Sequence, residues 1–198
     1  MRSTYLKRMF FGLGCLALFA CTENTRVDKN INELPPIFPD YKEVTIPANI
    51  APLHFKLTDS CVCTEAYAWF EAGSKSVKVK ASKKQIAISL SDWEKMMDAA
   101  KGKAVDVKVV TKKGGEWVAY KPFHLFVSQD PVDPYIAYRL IEPGYETWNE
   151  MGIYQRCIEN YKQTPVLTNK MTGNNCMNCH SFCMQSPEKM LFHLRKDF

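Results

Sequence analysis

The sequence predicts a mainly β protein: an immunoglobulin-like β-sandwich, then a loop-rich connector, then a short helical tail that holds a C-x-x-C-H motif. Three observations lead there. Apolar and polar residues alternate at period two in seven short runs between residues 41 and 130. Turn chemistry separates the runs, most clearly at Gly114-Gly115. After Asp130-Pro131-Val132-Asp133-Pro134 the alternation gives way to an aromatic-rich stretch. The chain is 46% hydrophobic and 24% charged, values of a globular protein that exclude wholesale disorder.

The first 20 residues read as an export signal. Arg2, Lys7 and Arg8 form a positive n-region, and Met9 to Ala20 is apolar or small throughout. This stretch is too short to span a membrane, and no later run approaches the roughly 18 apolar residues a span needs. Leu18-Phe19-Ala20-Cys21 resembles a bacterial lipobox, in which the cysteine is diacylated and becomes the new N-terminus. An ordinary signal peptide or a buried N-terminal helix is the alternative. The expectation is a lipoprotein with Cys21 lipidated, held on a bacterial membrane by several acyl chains. It would face the periplasm or the cell surface, with the outer membrane as the expected site. Residues 21–40, polar and then Pro-rich (Leu34-Pro35-Pro36-Ile37-Phe38-Pro39), read as a tether.

Residues 41–130 form the expected sandwich. The alternating runs are 53–57, 66–70, 77–80, 86–90, 105–109, 117–120 and 124–127. Their 8–12-residue spacing is typical of sandwich strands. A helix interrupts them. Trp93, Met96, Met97 and Ala100 recur on one face, Ser91 is positioned to cap it, and Gly102 follows its end.

The formal charge of +5 invites a nucleic-acid reading. The signal holds three of those charges, which leaves the exported chain at +2. Lys78, Lys80, Lys84, Lys108 and Lys112 occupy outward strand positions and read as a solvated face. Aromatic residues do not interleave with them along the chain, so no nucleic-acid partner is expected.

Residues 131–198 form the connector and tail. The connector carries Tyr135, Tyr138, Tyr145, Trp148, Tyr154 and Tyr161, broken by Gly144 and Gly152. In the tail, Ser186 and Pro187 suit a helix start, and Met190, His193 and Leu194 would share one helical face.

Cys176-Met177-Asn178-Cys179-His180 carries the chemistry. Two thiols three positions apart can add to the two vinyl groups of one haem, with the following histidine as proximal iron ligand. Cys176 and Cys179 are thus the candidate covalent attachment points and His180 the candidate proximal ligand. His193 is the candidate distal ligand, with Met190 and Met171 as alternatives. Cys183 leaves other readings open: a Cys3His zinc site with Cys176, Cys179 and His180, a plain disulfide, or an iron–sulfur site lacking a fourth thiolate. Of eight cysteines, Cys15 leaves with the signal and Cys21 is assigned to lipid. Cys61, Cys63, Cys157 and Cys183 remain as disulfide candidates. C-x-C neighbours in an extended strand are poorly placed to bond each other, so Cys61 or Cys63 is expected to pair with Cys157 or Cys183. The chain has no G-x-S-x-G, phosphate loop or H-E-x-x-H.

The C-terminal half resembles a family. Tyr138-Arg139-Leu140-Ile141-Glu142-Pro143-Gly144-Tyr145, Met151-Gly152-Ile153-Tyr154-Gln155-Arg156, Cys176 to Phe182, and Phe192-His193-Leu194-Arg195 resemble exported Gram-negative proteins labelled cytochrome c biosynthesis or TolB-like proteins. The resemblance covers most of residues 41–195. It implies a haem-motif block that in longer relatives continues into a TolB-type β-propeller, before which this sequence ends at Phe198. The functional expectation is a membrane-anchored haem c lipoprotein that passes electrons or supports a redox partner protein. The alternative is a lipid-anchored β-sandwich binding or assembly module whose cysteines are a disulfide staple or a structural zinc site.

Overall fold

The computed structural model describes residues 26–141 and 151–196. The signal, Cys15, Cys21, Gly144, Tyr145 and Trp148 lie outside the described residues.

The strands are β1 (Lys29–Asn30), β2 (Ile37–Phe38), β3 (Val44–Ile46), β4 (Phe55–Leu57), β5 (Glu65–Ala72), β6 (Lys75–Lys80) and β7 (Gln85–Ile86). Helix α1 (Leu90–Ala100) follows, then β8 (Ala104–Lys113), β9 (Glu116–Ala119) and β10 (Phe123–Val127). The C-terminal strands are β11 (Tyr135–Leu140), β12 (Gly152–Cys157), β13 (Gln163–Thr168), β14 (Cys176–Phe182) and β15 (Met190–Arg195). The protein is mainly β.

The largest sheet is organised around β8. On one side β8 pairs antiparallel with β5, which pairs with β6. On the other side β9 covers its C-terminal half and β10 its N-terminal half. β1 then adds parallel to β9, and β3 adds parallel to β10. The turn from β8 to β9 places Gly114 and Gly115 at φ +58° and +93°. Both values are positive, as the favoured two-residue hairpin turn requires. The period-two pattern sorts the sheet's faces. Ala66, Ala68, Phe70, Val105, Val107 and Val109 are buried on one side, and Lys78, Lys108 and Lys112 stand on the other.

The apolar face is covered by a second layer made of the small sheet β2–β4–β7 and of α1. Trp93, Met96, Met97 and Ala100 are the buried face of α1, as their spacing implies. The cap is Ser89, two residues ahead of the expected Ser91. Its Oγ accepts from the Asp92 backbone N–H at 3.1 Å. Its hydroxyl donates to Asp92 Oδ2 at 2.7 Å, so the two residues satisfy each other at the helix start.

Three expectations change. The 21–40 segment is not a free tether along its described part, because β1 and β2 build Lys29–Asn30 and Ile37–Phe38 into sheets. The connector is not loop-rich among the described residues: β11, β12 and β13 form an antiparallel sheet. The tail is not helical either. Residues 176–195 form the hairpin β14–β15, joined through a 3-10 turn at Cys183–Gln185. Met190 and Phe192 are half-buried while Leu191 is 67% exposed, which is strand and not helix periodicity.

A second, smaller core lies in this C-terminal part. Met151, Ile153 and Met177 are buried, with Leu167, Cys176, Met190 and Phe192 packed around them. The two parts are joined by backbone-like contacts. The Asn49 side chain donates to Val132 C=O at 2.9 Å and accepts from Val132 N–H at 3.0 Å. Ala51 N–H donates to Ile158 C=O at 2.7 Å.

Gly152 sits where β12 is paired on both sides, opposite Leu140 and Thr168. A Cβ there would lie 2.9 Å from the Leu167 carbonyl oxygen and 2.9 Å from the Tyr154 ring. Gly152→Ala is expected to destabilise this sheet by about 1–3 kcal/mol, the usual cost of overpacking. Hydrogen exchange of the β12 and β13 amides should speed up accordingly while β5 and β8 stay protected. Unchanged exchange would remove the steric argument.

Candidate functional site

The motif Cys176 to His180 lies along β14. Pairing is regular from Cys176 opposite Arg195 to Asn178 opposite His193, then slips by one residue, so that His180 faces Phe192. The extra residue is Cys179, exposed and at φ +47°. Such a bulge reverses the facing of the strand residues beyond it. Met177, His180 and Phe182 therefore share a face with Leu194, Phe192 and Met190, and of these Met177, Met190 and Phe192 pack with Met151 and Ile153. Asn178 and Ser181 share the other face with His193 and Leu191, while Cys176, at the start of β14, packs on the small core.

Local contacts hold each group. Cys176 Sγ is 3.9 Å from Met151 Sδ. Asn178 Oδ1 accepts from the Arg139 guanidinium on β11 and, at 2.9 Å, from Cys179 N–H, which ties the bulge to the neighbouring sheet. The His180 ring meets Phe182 edge-on at 6.2 Å.

The donor set of two thiols and an imidazole suits haem c chemically, but the strand does not gather it. Cys176 packs on Met151 at the start of β14, whereas Cys179 stands exposed at the bulge. His180 and His193 point to opposite faces, so an iron on His180 is out of reach of His193 while the hairpin holds. Met190 shares the His180 face. Met171 is 63% exposed in a separate 3-10 turn, Asn169–Thr172. Among the described residues, no three His, Cys, Asp or Glu side chains converge as a metal site would need, so the Cys176–Cys179–His180–Cys183 zinc arrangement is not assembled either.

The remaining thiols are placed differently from expectation. All six described cysteines are free, and no bond joins Cys61 or Cys63 to Cys157 or Cys183. Cys157 is buried at the end of β12, and Cys183 is exposed at the hairpin turn. Cys61 and Cys63 instead lie two positions apart just ahead of β5, where burial, and after it the nearness of Cys61, pushes the Cys63 thiol up. Cys61 is also 3.7 Å from the Tyr120 hydroxyl, which accepts from Lys113 Nζ at 2.8 Å. Tyr120 could not be picked out from its sequence position, because its partners lie 59 and 7 residues away in the chain.

The lysine face is also richer than the linear sequence implies. Lys78 Nζ lies 4.4 Å from the Tyr67 ring centre and 5.1 Å from that of Trp69, and Lys112 lies 5.5 Å from Trp117. Basic and aromatic groups do interleave across strands. The lysines are already engaged, since Glu65 pairs with Lys80 and Lys112 and Glu71 pairs with Lys108.

No helix among the described residues is long and apolar enough to cross a membrane. No family model, curated protein or solved structure matches this chain. Fold and site together define a mainly β protein in which, among the described residues, thiols and imidazoles gather on the β14–β15 hairpin and a pair of thiols lies at the entry to β5.

Proposed function

We propose that this chain is an exported lipoprotein, anchored to a bacterial membrane through Cys21, that carries a covalently attached c-type haem. Its role would be electron transfer or the support of a redox partner protein at the outer membrane. The supporting observation is the C-x-x-C-H donor set on a hairpin of its own, with Cys179 exposed at a bulge. Cys176 and Cys179 would hold the group through thioethers and His180 would ligate its iron. When bound, haem supplies one-electron redox chemistry. Bringing Cys176 round to the His180 side would need Cys176, Met177 and Asn178 to leave their pairing with β15 while His180 stays opposite Phe192. The resemblance to cytochrome c biosynthesis or TolB-like proteins belongs to this reading.

A second reading is favoured by the strand itself. Cys176 packs on Met151, and Met177 is buried in the same core, so the motif already has a structural use. The chain would then be a lipid-anchored β-sandwich binding or assembly module, with its cysteines as a staple or zinc site. For the sandwich type, two layers around one apolar core support the term. The parallel pairing of β1 and β3 and the helix in the second layer set it apart from an all-antiparallel immunoglobulin sandwich.

One experiment separates the readings. The full chain is produced together with haem-attachment machinery, and a pyridine haemochrome spectrum is taken after denaturation. One covalent haem per chain is expected. Folded, membrane-associated protein without covalent haem would leave the second reading standing.

A further inference from the structure

We propose that Cys61 and Cys63 are a redox-active dithiol that closes reversibly into a disulfide by exchange with a small-molecule or protein disulfide. The dithiol would act in this way whether or not the chain carries haem.

The geometry is local and specific. Residues 61–63 lie between strands, before β5 begins at Glu65. Cys61 N–H donates to Thr58 C=O at 3.0 Å, closing a turn. Val62 points outward, 80% exposed, so the thiols on either side of it turn the same way, inward. Residues 61–63 belong to no strand, and the turn closed by Thr58 and Cys61 lies directly before them. Cys61 is 1% exposed and Cys63 is half-buried. Cys63 also lines a recess of about 220 Å³ together with Thr64, Glu65, Ala81, Lys83 and Lys84. One thiol is therefore reachable from outside and the other is sheltered behind it.

Tyr120 and Lys113 complete the arrangement. The Tyr120 oxygen accepts from Lys113, which leaves its own O–H to donate to a Cys61 thiolate. A phenol polarised by an ammonium group stabilises a sulfur anion in a place from which water is largely excluded.

The exchange balances in two steps. The Cys63 thiolate attacks one sulfur of an incoming disulfide R–S–S–R, forming Cys63–S–S–R and releasing RS⁻. The Cys61 thiolate, held by Tyr120, attacks the Cys63 sulfur and releases the second RS⁻. The two thiol protons end on the departing RSH molecules. The protein pair is oxidised by two electrons and the external disulfide is reduced. Burial, followed by the proximity of Cys61, pushes the Cys63 thiol above its usual range, so exchange should be slow at neutral pH and quicken as pH rises.

Trypsin cleavage after Lys56 and Lys75 isolates peptide 57–75, whose only cysteines are Cys61 and Cys63. The full chain is equilibrated with oxidised glutathione, acid-quenched and alkylated. The expected product is a 57–75 peptide lighter by two hydrogens and free of alkyl groups, which becomes doubly alkylated after dithiothreitol. Cys61→Ser should stop the reaction at a glutathione adduct on Cys63. Tyr120→Phe keeps the ring and should slow closure about tenfold, the effect of losing one hydrogen bond to a charged sulfur. The proposal is overturned if 57–75 stays doubly alkylated at every pH. It is equally overturned by a stable glutathione adduct on the wild-type chain, or by a cross-link to the peptide bearing Cys157 or Cys183. An unchanged rate in Tyr120→Phe overturns the role given to Tyr120.

Discussion

Trp93→Ala should lower the stability of the chain by about 3–5 kcal/mol, the usual cost of truncating a fully buried aromatic. Trp93 is 1% exposed and lies edge-on to Phe70, with ring centres 6.3 Å apart. Its Nε1–H donates to Ile50 C=O at 2.8 Å. One side chain thus joins α1 to the large sheet and to the loop after β3. Truncation opens a cavity and leaves a carbonyl without its donor. Trp93→Phe retains most of the volume and should cost less, about 1–3 kcal/mol, for the lost hydrogen bond and the smaller ring. Urea denaturation of both variants is the measurement. A loss under about 1 kcal/mol in Trp93→Ala would mean that α1 does not pack as described.

The second large effect concerns the C-x-x-C-H motif, and it rests on the proposed haem attachment. Replacing Cys176 and Cys179 together with Ala should abolish covalent haem. His180→Ala should leave haem attached but remove its proximal ligand, which a shifted Soret band reports. The sixth ligand is decided by the faces of the hairpin. If β14 and β15 stay paired beyond the motif, Met190→Ala should convert a low-spin spectrum to high spin, and His193→Ala should leave it unchanged. A histidine–methionine pair also sets a higher potential than two histidines. The reverse pattern, with His193→Ala alone changing the spectrum, would mean that the loaded protein abandons the β14–β15 register.

Much of the first part of the fold is legible in the sequence. The runs at 66–70, 77–80, 105–109 and 124–127 fall on strands, and 117–120 does so up to Ala119, because one face is buried and the other is wet. The parts that are not legible have identifiable causes. β1, β2 and β3 are two or three residues long and pair with strands far away in the chain, so no local pattern announces them. In the tail, Met190, Leu191, Phe192 and Leu194 are apolar at both helical and strand spacings, and pairing with β14 decides between the two. The motif residues are legible as chemistry but not as geometry, since a one-residue bulge at Cys179 reverses the facing of His180. Cys61 and Cys63 are bonded to none of the distant partners expected for them: a turn at Thr58–Cys61, which no local pattern announces, precedes them and leaves both thiols on the inner side of Val62.

The parallel addition of β1 at the edge of the large sheet has a consequence for how such a protein would stand on a bilayer. Lys29, the first residue of β1, is eight positions from Cys21. A chain of that length reaches at most about 29 Å even when fully stretched. With Cys21 acylated, the start of β1 would be held within about 29 Å of the lipid. A redox partner of such a protein would then meet the β1 edge of the large sheet close to the membrane surface, not far out in solution.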